Sequence, residues 1–367
     1  MLNLKIQPIF LNLYLFFIWF IFCFIGDLSI NGFPLIVCSS LLVVISLSRW
    51  GGDNGNSNLL SYLLVGALLF TLLPGFKAPF SEDLRYYSSF IGILVSIVYI
   101  LIVHKKIYNN SIFYYICFLF LILMFIYSVT FKFDDTRLDI LFGPNILYRI
   151  ILFFLGVILV FNLYNRKIWI GKIILYSSII LATYLVFRTG SRGGLLAEIF
   201  ILFVFLYHYY SWKVFYFILF IIFYFIYNYL LTIDVTEFRI LRFDGESSEV
   251  RLDKFKAISN FLESGYFLTG TPEPSKFVGK VYPHNFLIES LIYHGFFYFL
   301  LVFFGSILIL YYLIVDKYAT KLLIPYLGIY IGMFFSGGYL DNYVGIGLVL
   351  LILLLFVKRY KFKNLEV

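Results

Sequence analysis

The sequence predicts an all-α fold: a polytopic transmembrane helix bundle of about 12 spans, with one long external loop that contains an amphipathic helix. Three observations predict it. Hydrophobic residues make up 62% of the 367 and charged residues only 13%, so there is too little polar surface to cover a water-soluble globule. The apolar residues come in long unbroken runs, whereas the strands of a membrane barrel would alternate. Lipid offers no partner to backbone groups, so helices are the remaining way to cross it. The few charges segregate into alternate connecting segments, as membrane orientation requires.

Taken in order, the apolar stretches that reach or approach the length of a span lie at about 6–25, 30–48, 59–74, 86–103, 111–130, 146–163, 168–187, 194–210, 212–231, 284–315, 322–335 and 340–357. The first follows only Lys5 and has no small-residue cleavage pattern after it, so it reads as a retained span. The stretches at 59–74 and 322–335 are short, and Pro74 and Pro325 are candidate causes of a kink, tilt or re-entrant path. Cys23, Cys38 and Cys117 all fall inside apolar runs and have no paired spacing, which supports neither a disulfide framework nor a zinc site. The abundance of Ile, Phe, Tyr, Asn and Lys resembles the products of AT-rich bacterial genomes.

A net charge of +8 would suggest a nucleic-acid partner in a soluble chain. Here orientation accounts for it, and no nucleic acid is expected. With the N-terminus inside, the inner segments hold Lys5, Arg49, Lys105, Lys106, Arg166, Lys167, Lys213, Lys317, Lys321, Lys358, Arg359, Lys361 and Lys363 against the acids Asp53, Asp316 and Glu366. The outer segments hold Asp27, Glu82, Asp83, Asp134, Asp135, Asp139 and Asp341. This bias predicts two cytoplasmic termini and an even number of spans. The predicted organisation is a bundle of about nine spans over 1–231, an external loop subdomain over 232–283, and about three more spans over 284–367. Within the loop, 248–263 places Leu252, Phe255, Ile258 and Phe261/Leu262 on one stripe, with Ser247 or Ser248 as N-cap and Gly265 just past the end. That pattern predicts an amphipathic helix on the membrane surface or across the bundle mouth.

Three places on the predicted outer face could carry chemistry. The first is the turn RTGSRGG, Arg188 to Gly194. A guanidinium offers phosphate oxygens two donors, and glycine lets backbone amides approach, so two arginines beside glycines form a recipe for a phosphate site. A charged turn that merely caps two helices would be written similarly, although two outer arginines run against the positive-inside bias. The second is Arg251, near the start of the loop helix, where a helix N-terminus would reinforce anion binding. A solvated charge is its plain alternative. The third is PHNFLIESLIYHG, Pro283 to Gly295. His284 can take a proton near neutral pH and suits a general base, or it can simply sit at the headgroups. Asn285 stands beside it, and Glu289 lies one turn deeper on the same helical face, where an ionisable group tends to meet a cavity or a partner. Glu198 and His294 read as structural polar partners inside spans. Asp134, Asp135 and Asp139 could meet a divalent cation, but their spacing is equally that of a solvated loop.

Taken together, SRGGLLA, then a long external loop with Ser247 and Arg251 in an S-x-x-x-R pattern, then HN-x-x-x-E-x-x-x-x-x-G opening a late span, resemble the O-antigen polymerase and O-antigen ligase family of bacterial envelope enzymes. The likeness covers roughly Arg188 to Gly295 and rests on the order and spacing of short motifs. It implies a metal-independent GT-C-type glycosyltransferase in the bacterial cytoplasmic membrane, with no cofactor. The donor and acceptor implied are oligosaccharides on undecaprenyl pyrophosphate, and a chain-length regulator protein is a candidate partner. Carried over, Arg192 and Arg251 match the positions expected to hold the donor pyrophosphate and His284 matches the expected base. The resemblance assigns Arg188 no firm counterpart, and it joins them only because it lies one helical turn from Arg192. Asn285 and Glu289 are supporting residues. The motifs leave open a polymerase, favoured here by the compact chain and its composition, and a ligase that transfers polysaccharide to lipid A core. A transporter of lipid-linked sugars would need similar spans, but no internal repeat of the kind such folds show is visible.

Overall fold

The computed structural model of the chain describes residues 111–130, 143–165, 169–210, 213, 216, 258–271, 277, 285–335 and 343–357. Among these, every regular element is a helix: α1 Ser111–Thr130, α2 Gly143–Tyr164, α3 Trp169–Arg188, α4 Arg192–Tyr209, α5 Phe286–His294, α6 Phe296–Val315, α7 Lys317–Gly332 and α8 Tyr343–Val357. Five hold stretches long and apolar enough to cross a membrane: Ser111–Thr130, Asn145–Tyr164, Gly171–Arg188, Arg192–Tyr209 and Phe296–Val315. At the rise of an α-helix each extends about 27–30 Å, the thickness of a bilayer's hydrocarbon core. The described part is that of a membrane-spanning helical protein. The expected spans before Ser111, most of the expected span at 212–231 and the loop up to 257 lie outside the described residues.

The chain divides into two compact units. One comprises Tyr108–Arg251 and Leu313–Gly332 and contains α1 to α4 and α7. The other comprises Met1–Ile107, Leu252–Tyr312 and Met333–Val367; its described helices are α5, α6 as far as Tyr312, and α8.

In the first unit α2 is the core helix. Its span is 94% buried, against 28% for α1 and 39% for α3 and α4. All of these helices are apolar around their circumference, so the sequence pattern alone does not choose the central one. The outer three expose Leu119, Leu123, Ile173, Ile180, Leu196 and Ile199, which lipid accommodates at no cost.

The partner of α2 is α7, which is buried from Ala319 to Tyr330. Their register is antiparallel and can be followed through glycines. A Cβ at Gly332 would come within 2.7 Å of Arg149 Nε, one at Gly328 within 2.6 Å of Leu152 Cβ, and one at Gly156 within 2.6 Å of Pro325 Cα. At the far end Lys321 Nζ lies 3.8 Å from the centre of the Tyr164 ring and 5.2 Å from that of Tyr318. Missing side chains let the two backbones touch, and dispersion between them replaces the hydrophobic drive that lipid removes. Pro325 sits inside α7 without ending it. Its backbone is what lies against Gly156 of α2.

In the second unit the apolar stretch 284–315 is not one continuous span. It breaks at Gly295, which has φ 83° and separates α5 from α6. A break inside an apolar segment frees helix-end amides and carbonyls that must find partners. The end of the loop supplies them: Thr271 N donates to Ile292 O at 2.9 Å, and Phe296 N donates to Phe267 O at 2.9 Å. A side chain at Gly295 would overlap the backbone of Leu268, and one at Gly270 the backbone of Tyr293. Two glycines thus let two chain segments lie backbone against backbone. A helical piece of the long loop, 258–263, precedes this segment and stops before Gly265, φ 80°, as its sequence position predicts; Phe261 is buried and Leu262 exposed.

Gly156→Ala is expected to destabilise the protein by about 1–3 kcal/mol through overpacking against the Pro325 backbone, read as a lower unfolding temperature in detergent. Gly265→Ala meets open space and should cost only the roughly 1 kcal/mol of its positive φ. No loss at Gly156→Ala would contradict the α2–α7 register.

Candidate functional site

The Arg-Gly turn joins α3 to α4. Arg188 is the last residue of α3, and Arg192 is the first of α4. Their four-residue spacing would stack them on one helix, but the structure puts them on two, across the turn Thr189–Ser191. Both side chains are half-buried.

The turn is polar and closely satisfied. Thr189 and Ser191 are buried. The Thr189 hydroxyl donates to Val186 O at 2.6 Å and accepts from Ser191 N at 3.3 Å. Gly190 takes φ 64°, which reverses the chain. Ser191 caps α4, its hydroxyl accepting from Gly194 N at 3.3 Å and donating to Asn145 Oδ1 at 3.4 Å. A Cβ at Gly194 would come within 2.7 Å of Tyr148 Cγ, so this glycine seats the Tyr148 ring.

Helix electrostatics separate the two arginines. Arg188 stands at a helix C-terminus, where a cation is favoured by about 0.3–1 kcal/mol, whereas Arg192 stands at an N-terminus, where it is disfavoured by a similar amount. The helix dipole therefore favours Arg188 where it stands and opposes Arg192 where it stands. An anion held at the α4 N-terminus would be favoured by both the helix end and the Arg192 charge.

The contacts of Ser191 and Gly194 bring the first turns of α2 to this end of the unit. Asn145, Tyr148 and Arg149 come with them, and none of the three was gathered by motif spacing. The available signal was a lone charge, Arg149, inside an apolar run. Arg149 is only 7% exposed. Its Nε and the Tyr148 hydroxyl each lie within 2.7 Å of where a Cβ on Gly332 would be, so the guanidinium and the phenol meet over the same glycine.

Deeper in α4, Glu198 is buried, and the Thr183 hydroxyl of α3 reaches its Oε1 at 2.7 Å. This is the structural polar link between spans that the sequence suggested for Glu198. Among the described residues, no group of three His, Cys, Asp or Glu side chains is placed to hold a metal ion. Asp134, Asp135 and Asp139 lie outside them.

The second motif opens α5. Asn285 is its N-cap, with Oδ1 accepting from Leu287 N at 3.1 Å and Ile288 N at 3.4 Å. Glu289 sits one turn on, fully buried, its amide donating to Asn285 O at 3.0 Å. A carboxylate near a helix N-terminus is favoured by the helix dipole, while Asn285 supplies the cap itself. Phe286 anchors that start through its amide to Met333 O at 3.2 Å and its ring edge on Phe334 at 4.7 Å. His294 closes α5, buried with its ring edge-on to Tyr298 at 4.5 Å. His284 and Arg251 lie outside the described residues.

Asn285→Ala should lower stability by about 1 kcal/mol, and Asn285→Asp should restore it because aspartate caps equally well. Thermal unfolding of the two purified variants checks this, and an Asp variant as unstable as Ala would assign Asn285 some role other than its cap. No family model, curated protein or solved structure matches the chain.

Proposed function

We propose that the chain is a polysaccharide polymerase of the O-antigen or capsule type, joining oligosaccharide repeat units carried on undecaprenyl pyrophosphate at the outer face of the bacterial cytoplasmic membrane. The observation that carries the reading is Arg192. It is a half-buried arginine at the N-terminus of a membrane helix, against the dipole, beside the serine that caps that helix. A bound anion accounts for that placement, and the order of the motifs around it resembles the polymerase and ligase family.

In this reading the bundle has twelve spans, both termini are cytoplasmic and the loop at 232–283 is external; the alternation of basic and acidic segments supports it. An acceptor sugar hydroxyl attacks the anomeric carbon of the donor and gives its proton to His284. The bond from that carbon to the pyrophosphate oxygen breaks, and the leaving undecaprenyl pyrophosphate keeps the electron pair. Arg192 and Arg251, with Arg188 nearby in the same turn as Arg192, would stabilise the charge that develops on it. Asn285 and Glu289 hold the helix that His284 precedes.

Reconstitution of the full chain with lipid-linked repeat units tests the proposal. Chain elongation is expected from the unaltered protein. Losing the base should cost about 10²–10⁴-fold in His284→Ala, and removing a charge-stabilising donor about 10²–10³-fold in Arg192→Ala. Full elongation by both variants would sink the residue roles. Transfer to lipid A core in place of elongation would make the chain a ligase, and passage of the lipid-linked sugar across the membrane without new bonds a transporter.

A further inference from the structure

We propose that the junction of α5 and α6 is a two-state hinge governed by the end of the long loop. With residues 266–271 docked the helix is broken at Gly295, and with them released α5 and α6 anneal into one rod. The hinge goes beyond the function proposed above and holds whichever reaction the chain performs.

The hydrogen bonds at the break carry the proposal. Gly295 N donates to Leu291 O at 2.8 Å and Phe299 N donates to Gly295 O at 3.1 Å, each four residues back, so the helical ladder reaches the break from both sides. In an uninterrupted helix Phe296 N would donate to Ile292 O. Here the loop end stands between those two groups: Ile292 O accepts from Thr271 N at 2.9 Å, and Phe296 N donates to Phe267 O at 2.9 Å. The loop residues run antiparallel to the helix residues they meet, and all belong to one compact unit. One helical rung is thus replaced by two bonds to the loop. Withdrawal of the loop leaves Phe296 N and Ile292 O as each other's helical partners, while Thr271 N and Phe267 O turn to water. None of the four groups is orphaned in either state, which removes the main penalty for passing between them.

The docked segment is lightly held. Tyr266 and Leu268 are exposed, and the Phe267 ring, half-buried, stacks on that of Phe296 at 4.9 Å. A segment held by backbone pairing with few buried side chains opens at low free energy. Two glycines set the balance. Gly295 has φ 83° and Gly270 φ 76°, and a side chain on either would overlap the backbone of the other segment. In the annealed state Gly295 takes ordinary helical angles. The rod from Phe286 to Val315 is then about 45 Å long, against roughly 30 Å for α6 alone. The hinge therefore sets the direction in which α5 leaves α6, and with it the place of Asn285 and Glu289.

Amide-resolved hydrogen exchange on the full chain in detergent micelles tests the hinge. Phe296 N has a partner in both states and Thr271 N in only one. In the unaltered protein Thr271 should therefore exchange at least about tenfold faster than Phe296 once intrinsic rates are divided out. Equal rates, or a faster Phe296, overturn the proposal. Gly295→Ala opposes the positive φ, overlaps the Leu268 backbone and raises helix propensity, all of which favour the rod. It should speed exchange at Thr271 about tenfold or more and leave Phe296 protected. Gly270→Ala loosens the same pairing from the loop side and should give the same pattern. Loss of protection at both amides in a folded variant means that the break frays instead of annealing, and overturns the proposal. Unchanged protection at Thr271 in a folded variant overturns it as well, because the pairing then does not depend on the two glycines. If neither variant folds, the two amides of the unaltered chain decide.

Discussion

A backbone amide or carbonyl that leaves its helix inside an apolar surrounding has no water to turn to, so the chain itself must supply the partner. The break at Gly295 meets this demand through the end of the long loop, whose Thr271 amide and Phe267 carbonyl complete the facing ends of α5 and α6. The same demand shapes the turn between α3 and α4, where Thr189 and Ser191 use hydroxyls as donor and acceptor to close a reversal of only a few residues. In both places glycine is what makes it feasible. At Gly295 and Gly190 the backbone adopts a positive φ, and at Gly270 and Gly194 another group occupies the space of a Cβ.

The second constraint is the absence of a hydrophobic drive between helices in lipid. In the unit that contains α2 and α7, close backbone approach replaces it. Gly156, Gly328 and Gly332 let the two helices run antiparallel at contact distance, and buried Lys321 is accommodated over Tyr164 at one end. Arg149 lies at the other end. The closely packed pair thus carries a buried basic side chain near each of its ends.

Much of the site's local architecture could be read from the sequence because it depends on short-range rules. Glu289 one turn beyond Asn285 and the stop at Gly265 follow from helix rise and C-cap preference, whereas the cap at Asn285 emerged only from the structure. The residues that escaped such reading depend on contacts between distant segments. Tyr148 and Gly194 meet across 46 positions of sequence, and no periodicity relates Arg149 to Gly332. The break at Gly295 escaped for the same reason: a lone glycine in a long apolar run is tolerated in many helices, and only the docking of residues 266–271 makes a positive φ the favourable state there.

The sequence by itself determined that the chain crosses a membrane as helices and where most of the described ones begin and end, because transfer of apolar side chains to lipid depends on composition over a window and not on neighbours. Tertiary structure decided which helix is central, how α7 registers against α2, and which arginines share an end of the bundle. Those choices turn on contacts between segments far apart in the chain, where one missing Cβ admits a neighbour that a methyl group would exclude.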